Sequence, residues 1–183
     1  TRLIDHLSIL TDIDTGAQRW RIVPIPLGRM LEHWFDELIE EHKKRLIIAI
    51  ESDVEHHFVQ ADMEAVKIAL NNLVDNAFRY APDNSAVLIY VRNAHTGLAL
   101  YIADWGYGIP AQLREQVFDR FRRLEEHRDP ARADGSGLGL AVTKALLSQM
   151  NATISLLPAS SDHTPGFPIT VFKIELDSHG LVH

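Results

Sequence analysis

Two carboxamides and one guanidinium recur at helical spacing within residues 62–82, and together they could bind a metal ion and phosphate. Asn72, Asn76 and Arg79 stand at positions i, i+4 and i+7, so a helix places them on one side. Carboxamides disfavour an ordinary helix interior. An amide oxygen beside an arginine suits a hard cation and the phosphates that it neutralises. The structural alternative, in which Asn72 and Asn76 hold a neighbouring loop, stays open on this segment alone.

The helix that must carry these side chains is predicted from its ends and its apolar face. Asp62 stands where an N-cap residue is expected, and Pro82 follows the last turn as a stop. The apolar positions between them form one core-facing stripe: Val66, Leu70, Leu73, Val74 and Ala77.

A second candidate site is the sequence DWGYGIP at residues 104–110, directly after a predicted strand. Asp104 is the last strand position, and Gly106 and Gly108 allow the backbone to turn sharply and approach a ligand. A carboxylate, which only accepts hydrogen bonds, could bind an exocyclic amine such as that of adenine. The alternative is a glycine turn with a capping aspartate.

The third candidate, GSGLGL at residues 135–140, runs directly into a predicted helix. Backbone N–H groups of Gly135, Gly137 and Gly139 can converge on an anion together with the positive helix end. The pattern is neither a P-loop nor a dinucleotide-binding fingerprint, because the lysine and the βαβ context are missing. A flexible hinge is the alternative.

Arginines are concentrated between these two motifs, where they could act as phosphate ligands. They are Arg120, Arg122, Arg123, Arg128 and Arg132. For most of them the alternative is a solvated, charged loop, since residues 122–134 show no periodicity and predict a mobile segment. Phe118 and Phe121 are expected to anchor this segment to the core.

Composition limits the class of protein. The chain has 183 residues, 46% of them hydrophobic and 23% charged, which is typical of one soluble globular domain. Its net charge of −7 argues against a nucleic-acid surface, and the absence of cysteine excludes disulfides and thiolate metal sites. No apolar run is long enough to span a bilayer and no signal peptide is visible, while the start without Met leads us to expect an excised piece.

The order of elements predicts the fold class. Residues 1–17 predict a short helix that ends at Gly16 and is the remnant of a longer one, followed by a domain boundary. Its apolar stripe contains Leu3, Ile4, Leu7, Leu10 and Ile13. Residues 20–27 predict an edge strand, because Pro24 and Pro26 cannot donate to a ladder.

Next come a helix from about Leu31 to Arg45 and two strands, followed by the helix of residues 62–82, a hairpin, a short helix over 110–117, the GSGLGL helix and two closing strands. The predicted strands cover residues 46–52, 56–61, 86–93, 98–103, 152–159 and 168–176. Paired strands with grouped helices predict an α+β, two-layer sandwich with one mixed β-sheet and helices packed on one face.

Four segments in order, NNLVDNAFRY, DWGYGIP, VFDRFRR and GSGLGL, resemble the nucleotide-binding boxes of sensor histidine kinases. That superfamily also holds gyrase, the mismatch-repair ATPases and a heat-shock chaperone. The resemblance covers about residues 18–176, and it implies an ATP-binding catalytic domain over residues 18–183, with Mg²⁺ and ATP as cofactors. Residues 1–17 resemble the end of a dimerisation and phosphoacceptor helix.

The resemblance also implies a role for each site residue. Asn76 matches the residue that coordinates Mg²⁺, with Asn72 supporting it. Arg79 matches a phosphate-binding basic residue, and Tyr80 an aromatic that packs near the nucleotide. The adenine pocket is implied for Asp104, Gly106, Gly108, Ile109 and, on a neighbouring strand, Thr170.

The phosphate side of the site follows in the same way. Arg123 matches the basic residue that closes the phenylalanine-containing box, and residues 124–134 match the ATP lid. The turn that faces the phosphates is matched by Gly135, Ser136, Gly137, Leu138, Gly139 and Leu140.

Asn72 separates the branches of the superfamily, because hydrolytic members carry a glutamate there as general base. A carboxamide cannot take a proton at neutral pH, so the resemblance implies a kinase that donates the γ-phosphoryl to a histidine. It implies a dimerisation domain and a response regulator as partners. The parent protein is expected to be a membrane-tethered homodimer with this part in the cytoplasm, and the isolated piece to be monomeric.

Three positions depart from the family pattern. Trp105 and Tyr107 are bulky where small or polar residues are usual, and Arg122 replaces a common aromatic. His6 lacks the basic residue and the proline of the acceptor motif, so the acceptor histidine is expected elsewhere. The alternative function is a degenerate, non-catalytic nucleotide-sensing module of the same fold.

Overall fold

The computed structural model describes residues 2–17, 20–38, 40–43, 45–51, 57–95, 97–123, 135–158 and 169–177. The helices in this part of the chain are α1 (Arg2–Thr15), α2 (Leu27–Glu37), α3 (Glu40–Lys43), α4 (Met63–Tyr80) and α5 (Gly139–Gln149). The strands are β1 (Val23–Pro26), β2 (Leu46–Ile50), β3 (Phe58–Ala61), β4 (Val87–Asn93), β5 (Gly97–Asp104), β6 (Thr153–Leu156) and β7 (Thr170–Asp177). None of the described helices is long and apolar enough to cross a membrane.

Five strands form one mixed sheet in the order β2-β4-β5-β7-β6. The β2–β4 pair is parallel and the other pairs are antiparallel. The register aligns Ile89, Ile102, Phe172 and Leu156 in one row across β4, β5, β7 and β6. This face is buried beneath α4 and α5, whereas the opposite face carries the half-buried, stacked rings of Tyr90 and Tyr101. The predicted α+β class and mixed sheet are therefore confirmed.

A second, two-stranded sheet pairs β1 with β3 and was not predicted. Its register places Pro24 opposite Gln60 and Pro26 opposite Phe58. Because prolines have no N–H to donate, β1 pairs along one edge only, as expected of an edge strand. It caps the end of the core where Ile25 and Val59 are buried.

Helix α4 forms as the sequence predicts. The Asp62 carboxylate accepts a hydrogen bond from the Ala65 N–H at 3.0 Å and a second from the Arg21 N–H at 2.7 Å, so it caps the helix and ties it to the segment before β1. All five residues of the predicted stripe are buried. The helix ends at Tyr80, before Pro82.

Helix α1 packs against α4 and α5 through a face that differs from the predicted stripe. It ends as predicted, since Gly16 adopts a φ of 65° and its N–H bonds to the Ile13 carbonyl at 3.1 Å. His6 and Leu10 are the buried residues of α1. Leu3, Ile4 and Leu7 remain exposed, so the stripe is split between the domain and solvent.

Three local predictions are wrong. The helix predicted to run to Arg45 ends at Glu37 as α2, because the backbone of Leu38 is extended. The residues that follow form α3, a separate helical turn. Residues 110–117 form no α-helix but two 3₁₀ turns, Ala111–Leu113 and Gln116–Phe118. Phe118 packs edge-on against Phe172 as an anchor, but Phe121 is 62% exposed with a φ of 61°.

Candidate functional site

One cavity gathers almost all of the predicted site residues. It lies where α4, the end of β5, the GSGLGL turn and α1 meet, and its volume is about 210 Å³. Of the predicted site residues, those that line it are Asn72, Asn76, Arg79, Tyr80, Asp104, Gly108, Ile109, Arg123, Gly135, Ser136, Gly137, Gly139, Leu140 and Thr170. Gly106 and Leu138 are buried behind this lining. The predicted lid, with Arg128 and Arg132, lies outside the described residues.

Asp104 is held at the end of β5 in a nearly dry position. It is 4% exposed and pairs in register with Thr170 of β7. Burial raises the pKa of Asp104 to about 6, and hydrogen bonds from the Gly106 N–H and the Thr170 side chain partly oppose that shift. The group is therefore a fixed carboxyl with a pKa close to neutrality, at the place predicted for an amine-binding acceptor.

Gly106 allows the turn after Asp104 to close. Its N–H donates to Asp104 Oδ1 at 2.7 Å. A Cβ atom at this position would lie 2.7 Å from that oxygen and 2.8 Å from the Tyr80 carbonyl oxygen, closer than real Cβ atoms approach. Only glycine therefore lets the end of β5 pack against the end of α4.

The GSGLGL turn packs against Arg79 of α4. The Arg79 guanidinium lies so close to the Gly135 backbone that a Cβ atom would collide with Nη1. Gly137 has a φ of 70°, and a Cβ there would lie 2.8 Å from the Phe121 carbonyl carbon. The glycine turn and the start of α5 thus line the same cavity as a guanidinium, a combination suited to binding phosphate.

The arginines near this turn separate into different environments. Arg123 lines the cavity, and Arg122 lines it while donating to Gln116 Oε1 at 2.7 Å. Arg120 instead makes a two-pronged contact with Asp14 of α1, at 2.8 Å to each carboxylate oxygen. Arg120 therefore connects two elements and is not part of the cavity lining.

Asn72 and Asn76 occupy different environments although both line the cavity. Asn76 is half-buried, whereas Asn72 is 4% exposed. The Asn72 amide donates to the Gly139 carbonyl at 3.2 Å and to Thr143 Oγ1 at 3.4 Å. Its Oδ1 is 3.0 Å from His6 Nε2. Asn72 thus ties α4 to both α5 and α1, which is the structural role left open by the sequence.

His6 is a functional-site neighbour that sequence reasoning missed. Because the Asn72 amide nitrogen has two acceptors, its oxygen must accept from His6, so Nε2 carries the proton of the ring. Burial lowers the pKa of His6, against the opposing effect of this hydrogen bond. His6 Nδ1 is buried with no hydrogen-bond partner among the described residues.

Other lining residues were also missed. Arg2 and Leu3 of α1 line the cavity together with Asp75, Tyr107, Val117 and Phe172. Arg2 forms an ion pair with Asp75, which follows Asn72 by three residues and therefore shares its helix face. The three-residue spacing from Asn72 could have identified Asp75 as a cavity residue from the sequence. No local pattern predicted that α1 would pack beside the cavity.

The donor set fits a magnesium nucleotide better than an all-protein metal cage. In the described ranges, no three His, Asp or Glu side chains converge to hold a metal ion. Mg²⁺ usually takes few protein ligands and completes its shell with phosphate oxygens and water. The Asn76 amide, the Arg79 guanidinium and the glycine turn line one cavity, and a Cβ at Gly135 would collide with Arg79 Nη1. The residues present therefore fit phosphates with a bound cation.

Comparison with known proteins identifies the family. Residues 61–178 match the model of the histidine kinase-, DNA gyrase B-, and HSP90-like ATPases. The chain is 31% identical over 151 residues to sensor protein IrlS of Burkholderia pseudomallei, covering 81% of this chain and 28% of that protein. It is 32% identical over 146 residues to sensor histidine kinase YcbM of Bacillus subtilis, covering 80% and 45%. The chain therefore spans less than half the length of these curated relatives.

Solved structures show the same fold. The mycobacterial sensor histidine kinase MprB superposes with a TM-score of 0.68 at 24% identity, covering 85% of this chain and 98% of that one. Full-length ShkA in complex with AMPPNP gives a TM-score of 0.71 at 19% identity, covering 97% and 36%. The predicted resemblance to catalytic ATP-binding domains of sensor histidine kinases is confirmed. The chain belongs to the histidine kinase-, DNA gyrase B- and HSP90-like ATPase family.

Proposed function

We propose that this chain is the catalytic domain of a sensor histidine kinase, which binds Mg·ATP and donates the γ-phosphoryl group to a histidine on a separate dimerisation domain. The observation that carries the proposal is the cavity itself. It places the buried Asp104 carboxyl together with Arg79, Asn76 and the GSGLGL turn. An amine acceptor and a phosphate-binding turn in one cleft match the two ends of an adenine nucleotide.

Each residue has a distinct part in this proposal. Asp104 accepts from the adenine amine, with Thr170 hydrogen-bonded beside it. Arg79, Arg123 and the start of α5 bind phosphate oxygens. Asn76, supported by Asn72, would hold Mg²⁺, which neutralises charge on the phosphates when it is bound.

Catalysis in this proposal depends on positioning and charge neutralisation. The bond between the γ-phosphorus and the ADP oxygen breaks as a bond to the acceptor imidazole nitrogen forms. A carboxamide at position 72 cannot deprotonate water, and the Asp75 carboxylate is paired with Arg2. The cleft therefore favours transfer to a side chain over hydrolysis.

The partners and location follow from the same proposal. Residues 1–17 would be the end of a dimerisation and phosphoacceptor helix, and the exposed Leu3, Ile4 and Leu7 would pack in that longer assembly. The parent protein would be a membrane-tethered homodimer that phosphorylates a response regulator. The isolated chain would be a monomer of the cytoplasmic portion.

The decisive experiment supplies the acceptor in trans. The purified chain is mixed with candidate dimerisation domains, Mg²⁺ and γ-labelled ATP, and acid-labile, alkali-stable label is measured on each component. We expect label on a dimerisation domain and none on this chain alone. Label on the isolated chain would contradict the assignment of the acceptor to another domain.

A second function, a nucleotide-sensing module without transferase activity, is favoured by one observation. Tyr107 is 67% exposed and lines the cavity, where the family pattern has a small or polar residue. Calorimetry with a non-hydrolysable ATP analogue, with and without Mg²⁺, distinguishes the two. Absence of Mg²⁺-dependent binding would favour the sensing module.

A further inference from the structure

The polar face of α4 that borders the cavity is partly occupied by α1. Asn72, Asp75, Asn76 and Arg79 follow one another at i, i+3, i+4 and i+7, so they form one row. His6 Nε2 donates to Asn72 Oδ1 at 3.0 Å, and Arg2 pairs with the Asp75 carboxylate. Two of the three oxygen-bearing side chains in this row are therefore engaged by α1.

Docking of α1 is specific along its whole length. Arg2 and His6 hold its first turns to α4, Leu10 is buried against the core, and Asp14 binds Arg120 near its end. The buried polar pair matters most, because His6 is 7% exposed and Asn72 4% exposed. The Asn72 oxygen is engaged by the His6 ring while α1 is docked.

The docked helix also narrows the cavity. Arg2, Leu3 and His6 form part of its lining, and the remaining volume is about 210 Å³. Clefts that hold drug-sized ligands enclose roughly 300–1,000 Å³. An oxygen that accepts from His6, and a carboxylate that is neutralised by Arg2, are moreover poor ligands for a cation.

We propose that α1 is a latch on the cation end of the cavity, whose docking through His6 and Arg2 opposes the binding of a magnesium–nucleotide complex. The cation and the latch compete for the Asn72 oxygen, which would support Asn76 at the cation, so each disfavours the other by the same free energy. A displacement of α1 by other parts of the protein would then raise nucleotide affinity. The inference rests on the proposed function, because it assumes a magnesium nucleotide in this cavity.

The test compares three substitutions in the whole chain. His6→Leu removes the donor but keeps an apolar side chain, His6→Gln keeps a donor at the position of Nε2, and Ser8→Ala changes an exposed residue on the same helix. Binding of a fluorescent, non-hydrolysable ATP analogue is titrated with Mg²⁺ and, separately, in its absence.

We expect His6→Leu to lower the Mg²⁺ concentration for half-maximal binding by about five-fold or more, the lower end of typical coupling between sites. Affinity without Mg²⁺ should change much less, because the latch engages the cation ligands. His6→Gln and Ser8→Ala should behave as the parent chain. Equal Mg²⁺ dependence in the parent and His6→Leu would overturn the latch while leaving the proposed function intact.

Failure of the proposed function gives a different result, because no variant would then bind the analogue at any Mg²⁺ concentration. Binding by His6→Leu but not by the parent would support the latch in its strongest form.

A second measurement does not depend on the folding of His6→Leu. Since the chain has no cysteine, spin labels at Ser8→Cys and Gln149→Cys report the separation of α1 and α5. The separation should increase with analogue plus Mg²⁺, and an unchanged distance at saturation would overturn the latch.

Discussion

The two ends of the cavity are built in different ways. The Asp104 end consists of one strand terminus, one tight turn and the neighbouring strand, with its carboxyl already fixed by Gly106 and Thr170. The α4 end, around Asn72, Asn76 and Arg79, is assembled from three helices, and one of them holds the Asn72 oxygen. The Asp104 end is therefore preorganised within the sheet, whereas the α4 end depends on how α1 packs against α4. If the proposed function holds, adenine recognition at the Asp104 end is fixed by the fold, whereas binding of the cation at the α4 end depends on the position of α1.

Removing the amide of Asn76 should have the largest effect. We expect Asn76→Ala to abolish the Mg²⁺ dependence of ATP-analogue binding and to lower affinity by about 100-fold, since even outer-shell changes at metal sites cost 10–100-fold. Calorimetry with and without Mg²⁺ measures this. Asn84→Ala, on an exposed turn, is the control. If Asn76→Ala retained Mg²⁺-dependent binding, the α4 end would not be the cation end.

A change at Asp104 should affect base selection and not the cation. We expect Asp104→Asn to weaken binding of the ATP analogue by about ten-fold and to reduce its preference over the GTP analogue, because an amide both donates and accepts. The Mg²⁺ dependence should remain. Competition titrations with both analogues measure the change, and an undiminished preference for ATP would contradict the adenine assignment.

The pH dependence of the Asp104 end follows from its raised pKa. Nucleotide affinity should increase as pH rises through about 6, because the carboxylate accepts more strongly than the acid. Stability changes in the opposite direction. The folded protein binds the Asp104 proton more tightly than the unfolded chain does, so the protonated carboxyl stabilises the fold at pH values below the ordinary aspartate pKa. This contribution is lost as pH rises through about 6. The loss is on the order of 3 kcal/mol.

The matched control for both effects is Asp104→Asn, in which neither the affinity nor the melting temperature should change with pH on account of this residue. Binding and thermal unfolding are measured between about pH 4 and pH 8 in both chains, which covers the range between the ordinary and the raised pKa of Asp104. Parallel pH profiles for the two chains would show that Asp104 is not the titrating group.

Substitution of Gly137 tests how far the glycine turn beside Arg79 contributes to stability. Gly137→Ala should lower the free energy of unfolding by about 2 kcal/mol or more, because a Cβ would be strained at a φ of 70° and would approach the Phe121 backbone. Gly16→Ala is matched in φ, at 65°, but meets nothing within 4 Å, so it should cost only about 1 kcal/mol. Denaturant unfolding measures both, and equal costs would remove the steric part of the argument.

The smallest effect is expected at the exposed ion pair between Asp14 of α1 and Arg120, which follows the two 3₁₀ turns. Arg120→Ala should lower stability by less than about 1 kcal/mol, because both side chains are half-exposed and solvent screens the pair. Thermal unfolding at low and high salt measures it. A larger, salt-insensitive loss would indicate that α1 is held mainly at this end.

Sequence reasoning succeeded where the determinants are local. The cap at Asp62, the stripe of α4 and the glycine at position 106 each follow from neighbours within one or two turns of chain. It failed where distant packing decides. The Asn72 amide could be predicted to point beside a core face, but its partner His6 lies 66 residues away, and no periodicity encodes that contact.

The same limit explains the smaller errors. Leu38 interrupts the predicted long helix although its side chain fits the helical stripe, because its backbone is extended and α3 begins separately at Glu40. Arg120 is a residue type that commonly binds phosphate, but here it donates to the Asp14 carboxylate of α1. Both outcomes depend on where other elements lie, which residue type alone does not specify.

The position of β7 in the sheet has a consequence for biosynthesis. This strand is the last described element of the chain, yet it lies between β5 and β6 and pairs with both. Asp104 therefore meets Thr170 only after some 66 further residues have been made, as the register of β5 and β7 requires. Because domains fold as units and long-range pairings form late, a nascent chain released before β7 would have an open sheet and an incomplete site. The site is thus complete only once β7 has been made and has paired with β5.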